Sequence, residues 1–282
     1  MTSLSLFDHT AFEVSELVTK NYSTSFYKAS RLFDKETRQG IFAIYGFVRF
    51  ADEIVDTFDI DDQESLLKKF ETDYLNAQHQ GISLNPLLQS FQIAVNKYQI
   101  PYDLIEEFLN SMKQDLRKKQ YGSKKEMDAY IYGSADVVGL MCLKVFSNGN
   151  EALYNELKQP AQKLGSAFQK VNFLRDLKND LQILDRSYFP GVNSHTFDNK
   201  AKQKITEEIR LDFQEALKGI RKLPQNARLA VYVAYKYYSG LLRKIERTDA
   251  QLILRDRIRI SNGYKSLLLG LAYVENKLNL LQ

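Results

Sequence analysis

The chain has 282 residues, 44% of them hydrophobic, which is enough to bury a substantial core. Its formal charge of +4 is the small remainder of 39 basic and 35 acidic residues. An excess so weak and dispersed speaks against nucleic acid, and it suits an anionic small molecule or a passing membrane contact. The one cysteine, Cys142, excludes a disulfide framework and a cysteine metal cluster, so a reducing, cytoplasmic compartment is the expectation.

In chain order, the opening MTSLSLFDHTAFEVSE has neither the basic leader nor the apolar run of a secretory signal, and a helix is predicted at 9–30. Leu32 to Phe58 reads as a second helix, opened near Asp34 and Lys35, with Phe42, Tyr45, Phe47 and Phe50 among its bulky positions. The acidic run Asp59 to Glu64 reads as an exposed loop and helix start rather than as metal ligands. Helices follow at 62–79, 86–98, 101–119, 124–147, 150–182, 200–221, 225–247 and 250–280. Pro86 and Pro101 mark two of these starts, because proline suits the first turn of a helix. Ser187 to Asp198, with Pro190, Gly191 and Asn193, is the clearest loop. No repeat or flexible linker is visible, and no window approaches the ~18 uninterrupted apolar residues expected of a spanning helix. Residues 1–282 therefore read as a single all-α domain of roughly eight to ten helices.

Two acidic boxes stand out on these helices. Residues four apart share a helical face, so Asp52 projects with Asp56, and Asp176 with Asp180. Both faces extend as polar stripes between apolar neighbours: Tyr45, Arg49, Asp52 and Asp56 on one helix, Gln169, Asn172, Asp176 and Asp180 on the other. Like charges at this spacing repel by about a few tenths of a kcal/mol in water, and by more between apolar walls. A compensating cation is therefore expected. Hard oxygen donors without cysteine or clustered histidine fit magnesium, which completes its shell with water and phosphate. Arg49 and Arg175 suit the oxygens of a diphosphate. Composition and spacing lead to a magnesium and diphosphate site between helices, and no further.

The stretch LGSAFQKVNFLRDLKNDLQILDRSYFP, Leu164 to Pro190, resembles the second signature of the squalene and phytoene synthase family. The likeness runs through Leu164-Gly165, Gln169, Asn172, Arg175-Asp176, Asp180, Arg186, Tyr188 and Pro190. YGFVRFADEIVD, Tyr45 to Asp56, is similar to the family's first acidic motif, and STSF, Ser23 to Phe26, to its serine-x-serine-phenylalanine segment. YIYGSADVVGLMC, Tyr130 to Cys142, resembles a further signature with two departures. Ile131 replaces a small residue or cysteine, and Asp136 stands where Gly, Ala or Ser is usual. Tyr22 also stands where some relatives have histidine.

The resemblance implies a class I isoprenoid synthase fold with a central cavity, and head-to-head condensation of two prenyl diphosphates. Phytoene synthesis from geranylgeranyl diphosphate, without NADPH, is the leading expectation. Squalene or dehydrosqualene synthesis from farnesyl diphosphate is the alternative, and a non-catalytic assembly protein a further one. It implies metal ligation by Asp52, Asp56, Asn172, Asp176 and Asp180, with magnesium or alternatively manganese, and a role for Tyr130 near the reacting carbons. Ser23, Ser25, Phe26, Tyr45, Arg49, Asp115, Gln169, Arg175 and Tyr238 are implied to bind substrate together with Asn172, while Arg257 and Lys265 add charge from the tail. The partners implied are prenyl diphosphates and a peripheral contact at the inner face of a membrane, with no nucleic acid. Elsewhere His9, His79 and His195 read as isolated surface or structural residues, Cys142 as a small core residue, and Ser266 to Val274 as a docking helix.

Overall fold

The computed structural model describes residues 2–58 and 62–281. Side-chain oxygens set the first boundaries. Helix α1 (Ser3–Tyr22) opens where the Thr2 side chain accepts the Ser5 N–H, and it ends at Ser23. There the backbone leaves the helical region (φ −144°, ψ 86°) before α2 (Thr24–Ser30) resumes. The helix expected over 9–30 is therefore two, broken where Ser23, Thr24 and Ser25 line up hydroxyls that favour non-helical backbone. Helix α3 (Lys35–Asp56) starts as expected at Asp34, whose carboxylate accepts the Thr37 N–H at 2.9 Å. Residues 59–61 of the acidic run lie outside the described residues, and Asp62 caps α4 (Gln63–Gln80) by accepting the Ser65 N–H. Helices α5 (Pro86–Tyr98) and α6 (Tyr102–Asp115) follow their prolines.

Helix α6 stops short of the expected 119 because the chain beyond it pairs with a distant loop. Tyr121 donates its N–H to the Ser187 carbonyl at 3.1 Å, and Ser187 donates to the Lys119 carbonyl at 2.8 Å. This is the one β-bridge among the described residues. The helix expected over 124–147 is continuous but carries a widened π turn, Tyr132–Asp136, between α7 (Lys124–Ile131) and α8 (Val137–Ser147). Such turns often mark functional sites. Gly133 lets the turn lie against α6, where an added Cβ would meet the Glu107 carbonyl at 2.9 Å.

Helix α9 (Glu151–Gln182) is the longest, and it packs on α8, on the π turn and on α10 (Asn199–Lys222). Its Gly165 crosses the π turn so closely that an added Cβ would meet the Ala135 carbonyl at 2.8 Å. Helix α11 (Gln225–Arg247) follows. The helix expected over 250–280 is split into α12 (Ala250–Ile253) and α13 (Asn262–Lys277). Between them, Arg257, Ile258 and Arg259 alternate exposed, buried, exposed, a two-residue period that belongs to extended backbone.

Helices α3 and α9 run through one hydrophobic core. Phe47 of α3 stacks on Phe91 at 4.0 Å and meets Phe70, Tyr74 and Phe108. Each fully buried ring of this kind contributes roughly 1.5–3 kcal/mol relative to exposure. Among the described residues one helical run, Lys124–Ser147, is long and apolar enough to cross a membrane, and 56% of its apolar window is buried inside the protein.

Candidate active site

The residues singled out from the sequence form a closed ring of interactions. Just before α2, Ser23 lies beside the Tyr45 hydroxyl of α3, and Phe26 of α2 stacks on the Tyr45 ring at 5.1 Å. Tyr238 of α11 stacks on Phe168 of α9 at 3.9 Å and bonds Arg175, which grips Asp176 through Nε at 3.1 Å. Asp180, one turn on, feels both Asp176 and Asp56. Asp56 takes Arg186 at 2.7 Å, and Arg186 also donates to the Asp115 carbonyl at 3.2 Å. The Asp115 carboxylate accepts the Tyr130 hydroxyl at 2.9 Å. Back on α3, Arg49 pairs with Glu53, lies 3.9 Å from Asp52, and sits 4.7 Å from the centre of the Tyr22 ring. Gln169 and Asn172 face each other at 3.5 Å on α9, and Ser25 accepts Lys265 at 2.6 Å.

The electrostatics is unbalanced toward negative charge. Burial, then the neighbouring Asp56, pushes the Asp52 carboxyl up to about 8, although a third (33%) of its side chain stays accessible. Burial, then Asp176, raises Asp180 to about 7. Asp115 is raised to about 7, by burial first, and its second carboxylate oxygen has no protein partner. The side-chain carbonyl of Asn172 is likewise buried and unpartnered. Among the described residues no three carboxylates converge to ligating distance, because guanidiniums stand between them: Arg186 on Asp56, and Arg175 and Arg257 on Asp176, the last at 2.6 Å. Hard oxygen donors, an orphaned carbonyl and carboxylates held near protonation fit a divalent cation that would enter together with an anion able to draw the arginines away.

Ala161, Leu164 and Phe168 of α9, with Val138 and Cys142 of α8, are partly buried apolar residues packed against the core. Burial pushes the Cys142 thiol up to about 12. Around Tyr130, the rings of Tyr121, Tyr188 and Phe173 stack, with Phe173 and Tyr188 4.0 Å apart. Both departures in the Tyr130 block are absorbed. Ile131 is buried in the core, and Asp136 accepts the Ser166 hydroxyl at 2.8 Å beside the buried Lys170–Asp212 pair.

Several contributors were not singled out as site residues in the sequence, among them Glu53, Tyr121, Phe168, Phe173, Arg186 and Tyr188. Arg186 was visible as a motif position, and Glu53 lies four residues from Arg49, the spacing of a helical ion pair. Nothing in the sequence brings Tyr121 to Tyr130. Elsewhere, His79 and His195 are exposed, and His9 meets only Glu13. A surface groove of about 510 Å³ between α10 and the end of α11 lies apart from this ring. Its Lys202 is held by the Glu246 and Thr248 carbonyls, and its Arg210 by Glu246.

The fold is that of class I isoprenoid synthases. Overlap with a crystal structure of a dehydrosqualene synthase in complex with ligand covers 96% of this chain and 98% of that one, with TM-score 0.85 and 23% identity. A squalene synthase from Alicyclobacillus acidocaldarius overlaps 85% of this chain and 94% of its own at TM-score 0.74 and 19% identity. Residues 19–264 match the squalene/phytoene synthase family model, and the chain belongs to this family of prenyltransferases. Curated relatives include phytoene synthase 1, chloroplastic, of Zea mays, 28% identical over 91% of this chain, and 15-cis-phytoene synthase of Synechocystis sp., 28% identical over 94%. The chain spans 66% of the maize protein's length and 85% of the cyanobacterial one's.

Proposed function

We propose that this chain condenses two geranylgeranyl diphosphates head to head into phytoene, through a cyclopropylcarbinyl diphosphate, in carotenoid biosynthesis. The observation that carries the reading is the meeting of two acidic stripes over Arg186, together with partly buried apolar residues on α8 and α9. Such a site suits a diphosphate at the charged end and a prenyl tail among Phe168, Leu164 and Val138. The name phytoene synthase, carried by the curated relatives, supports the forty-carbon product.

Asp52, Asp56, Asn172, Asp176 and Asp180 are the proposed ligands of magnesium, or of manganese in its place. When bound, the ion supplies positive charge that stabilises a departing diphosphate. The chain's own groups do the rest. Arg49 and Arg175, drawn from Glu53 and Asp176, grip diphosphate oxygens through forked hydrogen bonds. Loss of the first diphosphate leaves an allylic cation, which the second substrate's double bond attacks, and a proton leaves as the cyclopropane closes. Loss of the second diphosphate, rearrangement and loss of a further proton give the hydrocarbon with no reductant. Tyr130, held by Asp115, and the stacked rings beside it turn π faces toward cationic carbon and exclude water. Gln169, Ser23, Ser25, Phe26, Tyr45 and Tyr238 orient the substrate. A product that partitions into lipid supports peripheral contact with a membrane, on its cytoplasmic face.

A second reading, dehydrosqualene or squalene synthesis from farnesyl diphosphate, is favoured by the close overlap with the dehydrosqualene synthase structure. A non-catalytic role is disfavoured, because all four aspartates are present. The test is to offer the purified protein each diphosphate with magnesium, with and without NADPH. Phytoene from geranylgeranyl diphosphate without NADPH is the expected result; consumption of farnesyl diphosphate alone establishes the thirty-carbon reading instead.

A further inference from the structure

Where the π turn, α9 and α10 meet, the chain buries charges that the ionisation site does not use. Lys163 of α9 reaches one carboxylate oxygen of Asp212 on α10 at 2.9 Å, and Lys170, two turns further on, reaches the other at 2.7 Å. Ser166 lies between them in the chain and donates its hydroxyl to Asp136 of the π turn at 2.8 Å. Lys170, Asp212, Asp136 and Ser166 are all buried, and both lysines act on Asp136. Burial pushes the Asp136 carboxyl up to about 7, against the pull of Ser166 and Lys170, so taking this charge out of water is costly. An apolar cluster of similar volume is often at least as stable as a buried ion pair. What hydrogen-bonded charges add is direction.

We propose, resting on the reading of Gln169, Asn172, Asp176 and Asp180 as a metal and diphosphate wall, that Asp136, Ser166, Lys170 and Asp212 are positioning residues for it. Together they clasp α9 and fix its rotation about its own axis. At about 100° per residue, Lys163, Ser166 and Lys170 share one side of α9, and the stripe of Gln169 to Asp180 lies roughly a third of a turn away. The clasp therefore flanks the stripe without belonging to it. Glycines at the same junction set distance rather than rotation. Gly165 lies against the π turn, Gly139 of α8 against the Ala161 carbonyl, where an added Cβ would stand at 3.1 Å, and Gly219 of α10 against the Pro160 ring. Such smooth contacts let helices approach but offer no side chain at those points to interlock against a roll. A roll of about 20° carries the side-chain tips of an α-helix ~2 Å sideways, whereas metal ligands tolerate only about 0.2 Å. The ion pair ties α9 to α10 and the hydrogen bond ties it to the π turn, and neither is kept through a displacement of that size.

Replacing the ion pair by apolar side chains tests this, because it keeps the burial and removes the direction. Lys170→Met combined with Asp212→Leu should fold with a urea midpoint at or above the wild-type value, whereas either change alone leaves a buried charge unpaired and should lower it. Calorimetric titration of magnesium in the presence of inorganic diphosphate is the deciding measurement. The double variant should bind at least about tenfold more weakly than the wild type, the loss typical when the support of a metal ligand is removed. Ser166→Ala, which deletes one hydroxyl and no charge, should weaken binding in the same direction by a smaller factor. A role in stability alone would leave the affinity unmoved wherever the midpoint is kept. Wild-type affinity in the folded double variant, or in Ser166→Ala should the double variant not fold, overturns the clasp. A wild type that binds no magnesium with diphosphate overturns the reading of the stripe itself, a result distinct from either.

Discussion

At the scale of single residues, the site is organised by carboxylates that lack enough positive charge. Asp52 and Asp180 are raised well above the ordinary carboxylate range by burial and by the next aspartate on the same helix. Asp52→Asn and Asp176→Asn should therefore lower product formation by at least about 10²-fold, by analogy with losing one preorganised electrostatic group. Far-UV circular dichroism and the unfolding midpoint should stay near wild type, and near-wild-type turnover in either variant would contradict the assignment. The raised groups also give stability a pH dependence. Between about pH 4 and 8 the folded chain holds protons that the unfolded chain has lost, so metal-free stability should fall as pH rises through that window. Urea midpoints at several pH values should show this slope, and Asp52→Asn should flatten it. Magnesium with diphosphate should offset it, since the ion takes the place of the proton. A slope unchanged in Asp52→Asn would mean that other groups carry it.

At the scale of elements, α9 carries the argument, and its placement depends on one small residue. Gly165 lets α9 cross the π turn beside Ala135 and Asp136, which positions the part of α9 that carries Gln169, Asn172 and Asp176. Gly165→Val should destabilise the fold by about 1–3 kcal/mol, as overpacking does, and should depress activity more than Asp136→Ala; equal stability of wild type and Gly165→Val would remove Gly165 from this role. The elements also show what the sequence could convey. Asp34 as the start of α3, and the two polar stripes, were legible because capping and helical spacing are local. The stop at Asp115 was not, because it is decided by a partner far along the chain, Ser187; the break at Ser23 carried a local signal, three adjacent hydroxyls, that a continuous helix passed over. The extended piece before α13 did carry a signal, the alternation of Arg257, Ile258 and Arg259, which a helical reading overran. Its consequence is chemical, since that turn sends Arg257 to Asp176.

At the scale of the whole molecule, α3 and α9 form two charged walls that the loop around Arg186 and Tyr188 ties together. Arginines pair with Asp56 and Asp176, two of the proposed metal ligands, so substrate binding is expected to exchange one set of charges for another. Head-to-head coupling at this ionisation site has a stoichiometric signature in the diphosphate released. With geranylgeranyl diphosphate and magnesium, two diphosphates should be released for each phytoene formed. Release of a single diphosphate, with a longer prenyl diphosphate as product, would contradict it.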